Sequence, residues 1–172
     1  IKGEYTIEHR MMLHVDGICE GKTVRAYATN EVSISRGLSQ RMIALDARIG
    51  ETLVDHYIAD GVVLASPTGS TAYNLSAGGP IVAPEAELMV LTPLCPHSLN
   101  SRSIVLPPDN HLSLRIQTTG RTKVSLSFDG DTVVDIEPGD TIEIAKSEIE
   151  TTLIQLKQVP FLENIRNKMK QI

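Results

Sequence analysis

Apolar and polar residues alternate along most of this chain. Ile43, Leu45, Ala47 and Ile49 are spaced by two, as are Leu112, Leu114 and Ile116, and again Val124, Leu126 and Phe128. That period puts successive apolar side chains on one face of an extended backbone, so each run predicts a half-buried strand. Further β-like runs fall at Tyr5–Ile7, Met11–Val15, Val24–Ala28, Val32–Ile34, Leu53–Ile58 and Val62–Ala65. The series continues at Leu88–Leu91, Ile104–Leu106, Thr132–Ile136, Thr141–Ile144 and Thr152–Leu156. Turn signals punctuate it at Asp16-Gly17, Pro107-Pro108-Asp109-Asn110, Thr119-Gly120, Asp129-Gly130 and Pro138-Gly139-Asp140. Short strands at roughly 8–12-residue spacing predict a mainly β fold, a multi-stranded β-sandwich built as a pair of packed sheets.

Two segments break the period. Ser70 or Thr71 is placed to cap a short helix over Ala72–Ala77, ended by Gly78-Gly79-Pro80. Residues 160–172 put Phe161, Leu162, Ile165 and Met169 on one helical face, with Pro160 at the first turn. Arg166, Lys168 and Lys170 then form a solvated face.

Composition narrows the function classes. A chain of 172 residues with 41% hydrophobic and 22% charged residues reads as one globular domain, with no internal repeat or low-complexity linker. A net charge of −5 leaves no electrostatic footprint for nucleic acid or an anionic membrane surface. No apolar run approaches the ~20 residues of a membrane span, and no charged, apolar, small-residue run reads as a secretory leader. Cys19 and Cys95 lack a CxxC partner and read as free thiols of a reducing cytoplasm. The first residues, Ile1-Lys2-Gly3, lack a methionine, as in a piece of a longer protein.

Most chemical motifs fail on spacing. Gly21-Lys22-Thr23 ends like a phosphate-binding loop, but the leading glycine would have to replace Asp16. Asp129-Gly130-Asp131 begins like a calcium loop, yet Val134 stands where its glycine is needed. No GxSxG elbow occurs, and the five histidines (His9, His14, His56, His97 and His111) show no metal-ligand spacing. One stretch survives: "ASPTGSTAYNLSAGGP", residues 65–80, entered from Gly61-Val62-Val63-Leu64. A strand running into a glycine-hydroxyl turn and a helix start presents free backbone N–H groups. Tyr73 adds a ring face, and Asp60 stands just before the feeding strand.

Upstream, Asn30-Glu31 interrupts what would otherwise be one strand from Thr23 to Arg36. An asparagine amide matches the donor-acceptor edge of adenine, and a carboxylate accepts from ribose hydroxyls. A bulge at Asn30 with Glu31 facing water fits the same spacing, and spacing alone favours it.

"ATNEVSISR", "DGVVLASPTGSTAYNLSAGGPIVAP" and "LTPLCPHSLNSRSIVLP" together resemble the C-terminal domain of NAD kinases, and "GEYTIEHRMML", "SFDGD", "PGD" and "FLENIRNKM" fit as well. The resemblance covers essentially the whole chain. It implies the family's reaction: the 2′-hydroxyl of the adenosine ribose of NAD is phosphorylated, with ATP as donor and a divalent metal, Mg2+ by expectation, giving NADP. It implies a β-rich domain partnered by an N-terminal α/β domain, and homodimers or homotetramers. Carried over by position, Asn30 would meet adenine and Glu31 the adenosine ribose. Thr71, Ala72 and Tyr73 would line the ring pockets with Ser76 nearby, and Asp60 would hold the nicotinamide end. The Cys95–His97 loop would approach a neighbouring subunit's dinucleotide. The family's GGDGT motif, with its phosphate contacts and aspartate base, is missing from these residues, so no catalytic or metal-ligating residue is assigned to this chain. Residues 160–172 are then expected to pack back on the N-terminal domain. Two rivals remain at this level: a lipid kinase of the diacylglycerol or sphingosine type, and a non-enzymatic β-sandwich binding module.

Overall fold

The computed structural model describes residue 3 and residues 5–117, 123–156 and 159–170. Twelve strands form two six-stranded sheets in which every neighbouring pair is antiparallel. The strands are β1 (Thr6–Cys19), β2 (Lys22–Ala28), β3 (Glu31–Ser35), β4 (Ile43–Ile49), β5 (Thr52–Ala59) and β6 (Gly61–Ala65). They continue with β7 (Met89–Leu94), β8 (Ile104–Leu106), β9 (Leu112–Ile116), β10 (Val124–Phe128), β11 (Thr132–Ile136) and β12 (Thr141–Gln155). One sheet runs β2-β1-β12-β9-β4-β5 and the other β11-β10-β3-β6-β7-β8. A short 3-10 turn (Thr68–Thr71) leads into helix α1 (Tyr73–Ser76), and α2 (Phe161–Met169) follows β12.

One apolar core lies between the sheets. Leu13, Leu45 and Leu114 enter it from the first sheet, and Ile34, Leu64 and Leu126 from the second, all essentially without solvent exposure. These are the period-two positions, and their burial selects the register, since a one-residue slip would turn every one of them outward. A second, small cluster of Val63, Ala65 and Leu94, with Ala77 against it, sits on the opposite face of the second sheet. The segment 66–80 folds over that outer face, and the site is built there.

Several expectations need correcting. Asp16-Gly17 is not a turn. Gly17 lies inside β1 opposite Ile142, where an added Cβ would come within 2.9 Å of the Ile142 Cδ1, so glycine there permits close approach of two strands. The turn falls instead at Glu20-Gly21, both with positive φ. The runs expected at Tyr5–Ile7 and Met11–Val15 fall in the single strand β1 and the last two in β12, with Tyr5 and Leu156 just outside the strand ends. Between them Met11 pairs with Glu150 but Leu13 with Lys146, so the extra residues of β12 bulge out and break its alternation. Ser70 and Thr71 do not cap α1. Its N-cap is Ala72 with no side-chain bond, while the Ser70 hydroxyl donates to the Val82 carbonyl (3.1 Å) and accepts from the Val82 amide (3.0 Å). Helix α2 starts after Pro160, as expected, but none of its residues is buried: Phe161 and Ile165 are half-buried, while Leu162 and Met169 of the same stripe are exposed. The Thr119-Gly120 turn lies outside the described residues.

Candidate functional site

Thr29 and Asn30 carry the chain from one sheet to the other, because β2 belongs to the first and β3 to the second. Such a crossing leaves backbone donors without a ladder partner, and a side chain must take them. Asp129 does so. Its Oδ1 accepts from the Asn30 amide at 2.7 Å and the Glu31 amide at 3.0 Å, and its Oδ2 from the Thr29 amide at 2.8 Å. The Asp129 amide returns a bond to the Glu31 carbonyl (3.0 Å). Asp129 and Gly130 both have positive φ and lead the three-residue connection 129–131 between β10 and β11, closed by the Asp131 amide on the Phe128 carbonyl (3.1 Å). Sequence reasoning marked this pair as a turn and missed its second role.

The glycine-hydroxyl turn is tied to the same crossing. The Ser66 amide donates to the Asn30 carbonyl (2.8 Å), and the Ser66 hydroxyl donates to the Thr29 carbonyl (2.5 Å). A Cβ on Gly69 would run into the Asn30 carbonyl, so only glycine lets the turn lie this close. Further along, the fully buried Asn74 donates through Nδ2 to the carbonyls of Ser70 (3.1 Å) and Pro80 (3.0 Å). Its Oδ1 accepts from the Thr92 hydroxyl at 2.7 Å. One amide thus locks both ends of the turn to β7, which makes the hydroxyl-rich sequence a rigid platform.

Two clefts open beside this platform, with Tyr73 in the lining of both. The first, about 360 Å³, brings together Asp60, Ser76, Ala77 and Cys95. Asp60 Oδ1 holds the Arg36 Nε at 2.7 Å across the cleft floor, and both side chains keep about a third of their surface exposed. The second, about 500 Å³, is lined by Glu31 and by serines of β3 and β10. Glu31 is only 7% exposed, so it does not face water, and the outward bulge is excluded. Its Oε2 is buried with no hydrogen-bond partner. Burial, and then the nearby Asp129 carboxylate, raise its pKa above the ordinary 4.5, while a bond from the Tyr73 backbone amide pulls the other way.

Of the residues singled out from sequence, Glu31, Asp60, Tyr73, Ser76 and Cys95 line these two clefts. Asn30, Thr71 and Ala72 do not, although Asn30 and Ala72 adjoin residues that do. His97 is exposed, and its amide anchors the loop after β7 to the Ile58 carbonyl (2.8 Å). Cys19 and Cys95 are unpaired. Among the described residues no group of three or more His, Cys, Asp or Glu could hold a metal ion, and no helix is long and apolar enough to cross a membrane.

The raised Glu31 pKa has a measurable consequence. An acid held up by folding destabilises the native state as it ionises, a cost absent below the unfolded value near 4.5 and complete above the folded value. Glu31→Gln therefore raises the melting temperature near neutral pH, and the gain vanishes at about pH 4. Thermal melts of both proteins across that range check it; a variant less stable at every pH would mean that the bond from the Tyr73 amide outweighs the cost of burial.

Two antiparallel sheets with a tyrosine-divided groove on one outer face, mostly apolar in surface with carboxylates in its lining, define a β-rich domain of the small-molecule-binding kind. Residues 29–156 match the family profile described as ATP-NAD kinase C-terminal domain, and the chain belongs to the NAD kinase family. Over 171 residues it is 42% identical to the NAD kinase of Thermoanaerobacter sp. (strain X514) and 43% identical to that of Caldanaerobacter subterraneus subsp. tengcongensis. In both cases 99% of this chain is covered, and the chain spans 60% of the relative's length. The fold superposes on yeast NADH kinase complexed with NADH at a TM-score of 0.88 and 32% identity, covering 95% of this chain and 48% of that one. It superposes on an Archaeoglobus fulgidus NAD kinase in complex with ATP at 0.78 and 25% identity, covering 96% and 61%.

Proposed function

We propose that this domain binds NAD and orients it for phosphorylation of the adenosine-ribose 2′-hydroxyl by ATP, a reaction completed with an N-terminal domain carrying the GGDGT motif. The pair of clefts divided by Tyr73 carries the proposal. Glu31 presents a buried, unpartnered carboxylate oxygen on one side, and Asp60 a half-exposed carboxylate on the other. A dinucleotide needs such an arrangement: two sugar-and-ring units, a ring face between them, and acceptors for ribose hydroxyls. Glu31 would take the adenosine ribose, Asn30 and Thr71 the adenine with Ala72 beside them, and Asp60 with Ser76 the nicotinamide end. The relatives are NAD kinases, which favours a dinucleotide over the lipid substrate of the rival reading.

The chain's own contribution is positional. It holds the acceptor hydroxyl and its sugar still, which removes an entropic part of the barrier. A divalent metal would neutralise the donor phosphates in the full-length enzyme. The described residues assemble no ligand set for it, and no step of this mechanism runs through one here.

Asp60→Asn and Tyr73→Ala test the pocket. Losing a hydrogen bond to a charged group costs about 1.5–3 kcal/mol, and losing a ring stack costs about 1–3 kcal/mol by analogy with nucleobase stacking. Both variants should keep the fold and bind NAD more weakly in calorimetry. Unchanged affinity in both would remove this face from the site.

Assembly follows from the edges. β2 and β5 close the first sheet and β11 and β8 the second, and an exposed edge invites another chain. Exposed Cys95 has positive φ and turns the loop that carries His97 outward. A homodimer or homotetramer with this loop near the boundary is expected, and sedimentation at micromolar concentration checks it. A clean monomer of the full-length protein would refute it.

A further inference from the structure

Arg36 and Asp60 are the two charged residues in the lining of the first cleft, so one ion pair sets the charge of that cleft. Both partners are braced. Arg36 Nε donates to Asp60 Oδ1 at 2.7 Å, and the Arg36 amide donates to the Asp60 carbonyl at 2.9 Å. The guanidinium Nη1 donates to the Ser39 carbonyl, and the Ser39 amide returns a bond to the Arg36 carbonyl (2.9 Å). From the other side, the Asp60 amide donates to the Leu94 carbonyl (2.9 Å), next to Cys95 on the cleft wall. A pair with about a third of each side chain exposed adds little to stability, and fixing a long side chain costs rotamer freedom. Its consequence for the cleft is larger. Asp60 alone would leave a net negative charge there, and Arg36 brings the sum to zero.

We propose that Arg36 is a specificity-determining residue: by offsetting Asp60 it stops the cleft from selecting the oxidised dinucleotide over the reduced one by charge. The proposal rests on the reading above, which places the nicotinamide end at Asp60. The two forms have nearly the same outline and differ by one positive charge on the nicotinamide ring. A bare carboxylate would attract the cationic ring and gain little from the neutral one. With the guanidinium fixed on Asp60 and on Ser39 at once, the arriving ring meets a neutral pair already in place.

The test is the ratio of kcat/KM for NAD to kcat/KM for NADH, measured at low salt on the full-length kinase and three variants. Arg36→Gln removes the charge and keeps a donor for Ser39; it should raise the ratio about fivefold, the size of one charge acting across a surface cleft. Arg36→Lys keeps the charge and should stay within about twofold of the unaltered enzyme. Asp60→Asn leaves the guanidinium uncompensated and should lower the ratio by about as much as Arg36→Gln raises it. A smaller folded fraction or a displaced 36–39 turn scales both substrates together and cancels in the ratio. An unchanged ratio in Arg36→Gln overturns the proposal, and so does an equal rise in Arg36→Lys. Should Arg36→Gln fail to fold, the direction of the Asp60→Asn shift decides alone. Calorimetry on Asp60→Asn separates the two levels of the argument. If it binds both dinucleotides as tightly as the unaltered enzyme, the nicotinamide end lies elsewhere, and the proposal falls with the reading beneath it. If it binds them more weakly with the ratio unmoved, the proposal alone falls.

Discussion

Asp129→Ala is expected to destabilise the domain by about 3 kcal/mol and to abolish measurable NAD binding by the domain. The carboxylate accepts three backbone amides, from Thr29, Asn30 and Glu31, at 2.7–3.0 Å. Each bond to a charged acceptor is worth about 1.5–3 kcal/mol, but the three share one group and water reaches part of the crossing, so they will not add fully. For a chain of this size the loss corresponds to a fall of about 6–12 °C in melting temperature. Binding suffers because the same bonds set where Glu31 leaves the crossing and enters the cleft. Asp129→Asn should fall between the two, keeping one acceptor oxygen while aiming an NH2 at an amide that has nothing to receive it. Thermal unfolding with NAD calorimetry on the folded fraction reads both effects. A loss under about 1 kcal/mol with normal NAD affinity would mean that the crossing holds itself.

The strands were legible because their apolar positions follow the pleat, and burial enforces it at Leu45, Leu114 and Leu126. Misread positions are those where a residue serves two strands at once. Gly17 looked like a turn because glycine favours turns, whereas here it makes room for β12. Ser147 and its neighbours break the alternation of β12, yet the strand continues past a bulge in which the Ser147 hydroxyl accepts from the Ile149 amide (3.0 Å). The run expected at Leu88–Leu91 is β7, which starts at Met89 and passes Pro93. The strand nevertheless reaches Leu94, because β8 pairs only with Met89–Leu91 and asks no ladder donor of the proline.

The site divided in the same way. Tyr73, Asp60 and the glycine-hydroxyl turn stood out by composition; Asn30-Glu31 stood out as a break in a strand, and the resemblance to NAD kinases turned that break toward a nucleotide contact. Local spacing preferred a solvent-facing Glu31, and its burial emerges only when the chain passes between sheets at Thr29 and Asn30. Asp129 lies about a hundred residues from the amides it holds, beyond the reach of any local pattern. The serines of the second cleft, Ser33, Ser35, Ser125 and Ser127, are a third case: ordinary in sequence, they are gathered only by the register of β3 against β10.

The 172-residue chain alone is expected to bind NAD weakly and to make essentially no NADP. Phosphoryl transfer requires neutralised phosphates, in-line geometry and a group placed to accept the hydroxyl proton. Near the clefts the chain offers carboxylates at Glu31, Asp60 and Asp135. Asp60 is engaged by Arg36, and Glu31 resists ionisation and sits where the sugar is held. No glycine-rich phosphate cradle adjoins either one. Binding without preorganised charge omits the contribution that usually lowers the barrier most. Around helix α2 and the end of β12, Ile154, Leu156, Leu162 and Met169 are all more than half exposed, an apolar surface suited to a packed neighbour. Adding an N-terminal domain with the GGDGT segment should therefore cover this surface and restore turnover together. The assay is NADP formation from NAD, ATP and magnesium, with protein purified away from host kinase, and hydrogen exchange on α2 follows the docking. Turnover by the chain alone would place the proton acceptor among its own residues, with Glu31 and Asp60 the first to be substituted.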